Sequence, residues 1–168
     1  MEIRTIEPRD FATVAQLENE NWTKISTPVD MNSTVEQIME KVLKGMQYFL
    51  AVDENSGEIL GVLDCGPRHP HPRVSSGNHV MTFGVMTVEK ARGKGIAQAL
   101  ILHLIDFVKS DGVKKLSIEA LSTNPAALKL YEKLGFVQEG CQKAEFYLDG
   151  KYVDNLIYAY FIDEDLTK

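Results

Sequence analysis

Two glycines and three basic side chains share residues 90–95, directly before an apolar helical pattern. The first turn of a helix has backbone amides without partners inside the helix, and the helix dipole adds partial positive charge there. Glycine lets this backbone approach an anion because it carries no Cβ. A phosphate site, most simply for a pyrophosphate, is therefore predicted at Arg92, Gly93, Lys94, Gly95, Ile96 and Ala97.

Better-known phosphate loops do not occur in this sequence. It contains no Gly-x4-Gly-Lys-Ser/Thr string, and a dinucleotide fingerprint starting at Gly93 would put Gln98 in the place of its third glycine. Taken alone, the stretch is equally consistent with an ordinary helix start whose charges are solvated. A second pattern is needed to decide between these interpretations.

A second helix has clear start and stop signals in NPAALKLYEKLGF, residues 124–136. Asn124 is a favourable N-cap, Pro125 suits the first helical position, and Gly135 can end the helix. Tyr131 lies on its apolar side, which by itself predicts a half-buried ring with its hydroxyl in water. The other residues on that side are Ala127, Leu130 and Leu134.

The elements that would position these residues mix strands and helices. Strands are predicted at residues 1–6, on both sides of DENSGE within 46–66, at 79–88, at 113–121 and in 136–162, with helices from Phe11, within 32–45, up to about 110 and at 124–136. Asp149-Gly150 predicts a hairpin because both turn residues must accept positive φ. The central strand–helix–strand unit implies a parallel crossover, and the hairpins imply antiparallel pairing.

Length and composition limit the class of protein. The 168 residues, 44% hydrophobic and 25% charged, predict one soluble domain over residues 1–168. A net charge of −6 argues against nucleic-acid binding, which needs a basic surface. No stretch reaches the ~18 apolar residues of a membrane span, and no secretory leader is recognisable. With only two distant cysteines, we expect a cytoplasmic protein that does not bind a membrane.

The proline-rich segment PRHPHPRVSSGNH, residues 67–79, is predicted to be a loop. Its three histidines, His69, His71 and His79, are candidate metal ligands. No carboxylate or cysteine accompanies them, so an exposed connection is favoured and no metal site is predicted.

Together, the two helix starts resemble the GCN5-related N-acetyltransferase (GNAT) superfamily. Its phosphate motif, Arg/Gln-x-x-Gly-x-Gly/Ala, is matched by Arg92, Gly95 and Ala97. Either half of the pattern is degenerate alone, whereas both halves in this order and spacing are specific. The second half, which follows a strand, is matched by Asn124, Ala127, Leu130, Tyr131, Gly135 and Phe136.

The resemblance implies a fold and a cosubstrate. The fold would be mixed α/β, a three-layer α/β/α domain with a twisted mixed sheet of about six or seven strands flanked by about four helices. The cosubstrate would be acetyl-CoA, without a metal. Its pantetheine arm would bond the backbone of Val85, Met86 and Thr87, and Asn124 would reach the same arm. Its pyrophosphate would be held by the amides of Gly93, Lys94, Gly95, Ile96, Ala97 and Gln98.

The same resemblance implies an acid for the reaction. Tyr131 would protonate the leaving thiolate, although in some members of the family this tyrosine mainly positions the cofactor. Cys65 and Cys141 are expected to be small buried thiols and not acyl-enzyme nucleophiles. Direct attack of the amine within a ternary complex is therefore favoured.

The base is predicted less sharply. Glu119 lies in the strand before the second helix, where some members of the family keep a glutamate base. A strand glutamate that points to solvent or pairs with Lys114 or Lys115 explains it equally well. Glu18, Glu20 and a water relay are the other candidates.

The acceptor is predicted only as a class, namely the primary amine of a small molecule, an amino acid or a peptide N-terminus. The tail resembles GNAT branches that act on such amines, so Tyr147, Tyr152 and Asp154 are candidates for bordering the acceptor, and a twisted hairpin with paired aromatics explains them equally well. Glu89, three residues before Arg92, occupies a position where many members of the family carry proline. A homodimer is an option that no residue identifies.

Two rival functions remain open on the sequence. The first is a non-catalytic module of the same fold that binds acyl-CoA as a sensor. The second, a nucleotide-binding protein, lacks a matching phosphate motif.

Overall fold

The structure is a computed structural model that describes residues 1–71 and 75–167. Within them, the strands are β1 (Glu2–Thr5), β2 (Gln47–Val52), β3 (Ile59–Pro67), β4 (Val80–Thr87), β5 (Lys115–Leu121), β6 (Val137–Leu148) and β7 (Lys151–Phe161). The α-helices are α1 (Phe11–Asn21), α2 (Val35–Leu43), α3 (Ile96–Val108) and α4 (Pro125–Lys133). The sheet is mixed, with strand order β1-β2-β3-β4-β5-β7-β6. The predicted mixed α/β class is confirmed.

Contacts between Cα atoms divide the chain into two compact units. Unit 1 comprises residues 1–22, 31–66 and 83–108. Unit 2 comprises the described residues of 23–30, 67–82 and 109–168. A single domain over residues 1–168 stays a prediction.

Unit 1 is built on the antiparallel strands β1, β2 and β3. Successive side chains of a strand point to opposite faces, so β2 supplies two cores. Tyr48 and Leu50 belong to one apolar cluster with Val14 of α1 and Ile38 of α2. Phe49, between them, packs its ring at 4.8 Å from His103 of α3.

At the start of α2, the two neighbouring hydroxyl residues Ser33 and Thr34 have different hydrogen-bond partners. Thr34 is the N-cap, and its side chain accepts a hydrogen bond from the Gln37 amide (3.3 Å), while the Thr34 amide donates one to Gln37 Oε1 (3.0 Å). Ser33, the other predicted cap, instead donates its hydroxyl to Glu18 on α1. The connection into α2 therefore holds a carboxylate of α1 in place.

Unit 2 confirms the two predicted kinds of strand pairing. Residues 80–82 of β4 run parallel to residues 115–117 of β5, as the predicted crossover requires. β5, β7 and β6 pair antiparallel. The β6–β7 hairpin turns at Asp149 (φ 48°) and Gly150 (φ 80°), the positive values that the Asp-Gly pair predicts.

The predicted histidine loop contains one short 3-10 turn, Ser75–Gly77, and its residues 72–74 lie outside the described residues. In the part of the chain that the structure describes, no three His, Cys, Asp or Glu side chains are grouped to hold a metal ion. No helix among those residues is both long and apolar enough to cross a membrane.

Candidate active site

The glycine-rich stretch forms the start of α3, as predicted. Gly93 and Gly95 have φ of +74° and +80°, and a Cβ added to either would meet no atom within 4 Å. The backbone conformation, not lack of space, therefore favours glycine at both positions. Ala99 donates its amide to the Gly95 carbonyl (2.9 Å). The amides before it belong to the first turn of the helix, which intrahelical bonding leaves open to an anion.

Two cations at this loop are not neutralised. Arg92 and Lys94 are exposed, and neither forms an ion pair with any residue in 1–71 or 75–167. Lys90, by contrast, binds Glu58 at 2.5 Å. Ile96 is buried and anchors the first turn, so the loop combines a fixed helix start with unpaired positive charge. This combination suits a phosphate group.

β4 carries the segment predicted to line the arm of the cosubstrate. Val85 and Thr87 are half-buried, and Met86 between them is buried in the apolar cluster of unit 1. Val88 donates its amide to the Leu60 carbonyl of β3 (3.0 Å), which holds the end of β4 against β3. The contact of these residues with a cosubstrate stays a prediction.

The second predicted group lies on α4 of unit 2. Asn124 is the N-cap, and its side-chain oxygen accepts from the Ala127 amide (3.2 Å). Tyr131 is only 5% exposed, so the expectation of a half-buried tyrosine was wrong. Its ring packs 5.7 Å from Phe136 and 6.1 Å from Tyr158, and these neighbours cover it. Burial raises the pKa of the Tyr131 hydroxyl.

Glu119 lies in a group of polar side chains that we call the Glu119 network: Arg68, Glu119, Gln142 and Asn155. Arg68 forms an ion pair with Glu119, and Asn155 donates to Glu119 Oε2 (2.9 Å) and to Gln142 Oε1 (2.8 Å). Partial burial raises the pKa of Glu119, but the hydrogen bonds from Asn155 and Arg68 and the positive charge of Arg68 outweigh it and lower the pKa overall. Glu119 is thus a weaker base than an unpaired glutamate.

The predicted partners of Glu119 were wrong. Lys114 Nζ lies 3.2 Å from Asp163, and Lys115 Nζ lies 2.6 Å from Glu139. The actual cation comes from Arg68, which is remote in sequence, and no local spacing signals it.

Comparison with known proteins identifies the family. The sequence profile of the acetyltransferase (GNAT) family matches residues 11–136, which span both predicted motif halves. The chain belongs to the GNAT family.

Similar proteins agree with this assignment over nearly the full chain. The GNAT chain is similar to a crystal structure of smu.2055 from Streptococcus mutans UA159, with 38% identity, a TM-score of 0.89 and coverage of 97% of this chain and 100% of that one. It is 27% identical to the uncharacterized N-acetyltransferase YokL of Bacillus subtilis, covering 94% and 87% of the two chains. The fold matches yncA, a putative acetyltransferase from Salmonella typhimurium solved with acetyl-CoA, at 20% identity, a TM-score of 0.84 and coverage of 98% and 95%.

A second acidic group in this GNAT chain lies wholly within unit 1, and we call Glu18, Tyr48 and Asp64 the acidic cluster. Glu18, named above as a candidate base, is 3% exposed and accepts from Ser33. Lys41 Nζ lies 3.9 Å from Glu18 Oε2. Burial, and then the charge of Glu18, raise the pKa of Asp64 to about 6.

Sequence reasoning missed Asp64 and Tyr48. The signal was present in ILGVLDCG, where an acid follows Val62 by two residues and therefore shares its buried face of the strand. Glu20, the other candidate base, is exposed and accepts from Gln16 (2.7 Å). It belongs to the outer face of α1.

The cysteines and the tail complete the candidate residues. Cys65 is buried, and burial raises the pKa of its thiol to about 12, whereas Cys141 is exposed, contrary to the expectation of two buried thiols. Tyr147 and Tyr152 pair across the hairpin with ring centroids 5.0 Å apart, which supports the interpretation as paired aromatics. Asp154 accepts from Lys143 Nζ (2.7 Å).

Proposed function

We propose that this chain is an N-acetyltransferase that moves an acetyl group from acetyl-CoA to a primary amine. The observation that supports this most strongly is the start of α3. In this chain of the GNAT family, the helix start combines two glycines in the left-handed conformation with a buried first-turn residue and two unpaired cations.

The residues present fit acetyl-CoA. Its pyrophosphate needs positive charge and amides without bulky side chains, and the loop from Arg92 to Gln98 offers both. The backbone of Val85, Met86 and Thr87, and Asn124, would hold the pantetheine arm. When bound, acetyl-CoA supplies an acetyl thioester.

Tyr131 would hold the proton that the leaving thiolate receives. Burial raises its pKa, so the hydroxyl keeps its proton at neutral pH. The acceptor amine must lose a proton, and Glu119 is the proposed acceptor of it on the resemblance alone. The ion pair with Arg68 lowers the basicity of Glu119. Proton removal through a water relay is therefore the alternative.

Direct attack by the amine is supported by the state of the cysteines. The high pKa of Cys65 leaves almost no thiolate at neutral pH, and Cys141 is exposed on β6. Incubation with radiolabelled acetyl-CoA alone should leave no stable label on the protein. A label that transfers to added amine would contradict direct attack.

The test of the function is thiol release from acetyl-CoA across a panel of primary amines. At least one amine should respond, and Tyr131→Phe should reduce turnover by about 100-fold because the proton donor is lost. Tyr160→Phe, also a tyrosine of unit 2, is the matched control and should keep wild-type turnover. Tight binding of acetyl-CoA with no turnover of any amine would favour the sensor module instead.

A further inference from the structure

The acidic cluster brings three oxygen-bearing side chains to one face of unit 1. β2 and β3 pair antiparallel with Tyr48 directly opposite Asp64, so both side chains project from the same face of the sheet. Glu18 approaches that face from α1 and is 3% exposed. Burial, and then the charges of Asp64 and Glu18, raise the pKa of the Tyr48 hydroxyl.

Among the described residues, two of the three side chains in the acidic cluster receive no hydrogen bond from a side-chain donor. Tyr48 is 1% exposed, and its hydroxyl has no hydrogen-bond partner among the described residues. Within residues 1–71 and 75–167, no side chain donates to the Asp64 carboxylate. Lys41 is the cation facing the cluster from α2, and it lies nearer Glu18, at 3.9 Å. A buried polar group without a partner is costly, so this arrangement favours a ligand that brings donors and positive charge.

Glycine at residue 84 lets the Asp64 carboxylate lie close against β4. A Cβ built on Gly84 of β4 would lie 2.8 Å from Asp64 Oδ1 and 3.6 Å from Trp22 Cζ2. The φ of Gly84 is not in the left-handed region, so the carboxylate, not backbone conformation, makes glycine necessary there. Asp64 remains partly exposed.

We propose that Asp64, Glu18 and Tyr48 bind the ammonium group of the acceptor. This inference rests on the proposed function, because Gly84 directly precedes Val85, Met86 and Thr87, where that function puts the cosubstrate. An ammonium carries three N–H donors, which match the two carboxylates and the phenol oxygen. A metal ion fits less well, since no group of three metal ligands occurs in the described part of the chain.

The proposal narrows the acceptor to amines without a carboxylate beside the bound ammonium. In a free amino acid, the carboxylate would lie next to Asp64 and Glu18 and be repelled by both. Diamines, amino-acid amides and peptide N-termini avoid this repulsion. Among the acceptors that the sequence leaves open, cationic amines are therefore favoured over free amino acids.

Calorimetry without acetyl-CoA tests binding separately from catalysis. The probes are 1,4-diaminobutane, alaninamide and alanine at neutral pH. The diamine and alaninamide should bind at least about tenfold more tightly than alanine because repulsion is absent. Asp64→Asn and Gly84→Ala should each weaken diamine binding by about tenfold or more.

Gly140→Ala is the matched control, because its added Cβ would lie at an ordinary 3.5 Å from Ile157 Cδ1. It should change diamine binding by less than about twofold. Thermal melting checks that Gly84→Ala still folds, and the nearly isosteric Asp64→Asn does not depend on that check. A carboxyl resonance of Asp64 that titrates at lower pH with the diamine bound would place the ammonium beside it.

The inference is overturned if the wild type binds none of the cationic probes, if alanine binds as well as alaninamide, or if Asp64→Asn binds the diamine like the wild type. With acetyl-CoA added, Asp64→Asn should raise the KM for the amine and leave the KM for acetyl-CoA unchanged. Transfer to amines with unaltered KM in this variant would sink the inference and keep the function. Diamine binding without any thiol release would contradict the proposed function and keep the binding site.

Discussion

The acidic cluster and the Glu119 network are two carboxylate sites in one chain, with opposite surroundings. Glu119 receives a guanidinium from Arg68 and an amide from Asn155, and these lower its pKa. Asp64 receives no side-chain donor in the described part of the chain, and burial beside Glu18 raises its pKa to about 6. The first carboxylate is satisfied by the protein itself, whereas the second is not.

This difference separates a structural acid from one suited to a ligand. A carboxylate already bonded to a cation and an amide must lose both interactions before it can take a proton or a new partner. A carboxylate with a raised pKa and no side-chain donor gains hydrogen bonds when an ammonium binds. The residue that the resemblance suggests, Glu119, is thus the less available of the two.

Removing the charges of the acidic cluster should have the largest effect. The double variant Glu18→Gln, Asp64→Asn should lower kcat/KM for 1,4-diaminobutane by about 100-fold, since two charge-assisted contacts of about tenfold each are lost. Steady-state thiol release measures this. Glu40→Gln, which removes an exposed acid paired with Lys44 on α2, is the control and should stay within about twofold. An equal loss in the control would show that general surface charge is responsible.

Two tyrosine variants should move stability in opposite directions. Tyr48→Phe removes an unpartnered buried hydroxyl and should stabilise the fold by about 1 kcal/mol. Tyr158→Phe removes a hydroxyl that donates to Glu132 Oε1 (3.0 Å) and should cost about 1 kcal/mol. Urea unfolding gives both values. Destabilisation by Tyr48→Phe would mean that its hydroxyl has a partner in solution.

The stability of Asp64→Asn relative to wild type should depend on pH. The folded pKa of Asp64 is raised from the ordinary 3.8 to about 6, so the folded state binds this proton more tightly than the unfolded chain. The stability that this provides is complete below about pH 4 and is lost as pH rises through about 6. Asp64→Asn should therefore be more stable than wild type by about 3 kcal/mol at pH 8 and gain nothing near pH 4. A pH-independent difference in thermal melting would refute the raised pKa.

The smallest effect is expected in the Glu119 network. Arg68 and Glu119 have side chains 31% and 38% exposed, and ion pairs at such positions contribute little. Glu119→Gln should cost about 0.5 kcal/mol or less in the free energy of unfolding. A loss above about 2 kcal/mol would indicate that the network is a main structural support of unit 2.

Much of the fold could be predicted because its signals are local. A few adjacent residues were enough to predict the glycines before α3, the Asn124 cap and the Asp149-Gly150 turn. The resemblance to the family then predicted acetyl-CoA as the cosubstrate. What failed depends on partners remote in sequence: the ion pair of Arg68 with Glu119 spans 51 residues, and part of the cover over Tyr131 comes from Tyr158 of β7.

The acidic cluster was hidden for the same reason. Glu18, Tyr48 and Asp64 come from α1, β2 and β3, and no single stretch of sequence contains two of them. Only the pairing of β2 with β3 puts Tyr48 opposite Asp64. A charged residue within an apolar strand was the one local hint.

The pH dependence of kcat/KM for 1,4-diaminobutane tests the central claim most directly. Glu18, Lys41 and Tyr48 face Asp64 from α1, α2 and β2, and Asp64 is the group among them with a pKa of about 6. The slope of log kcat/KM against pH should fall from about two to about one near pH 6, because Asp64 ionises there while the reacting amine continues to deprotonate. In Asp64→Asn the slope should stay near one throughout. A break that survives in Asp64→Asn and disappears in Glu119→Gln would assign the acceptor's proton to Glu119 and contradict the acidic cluster as its binding site.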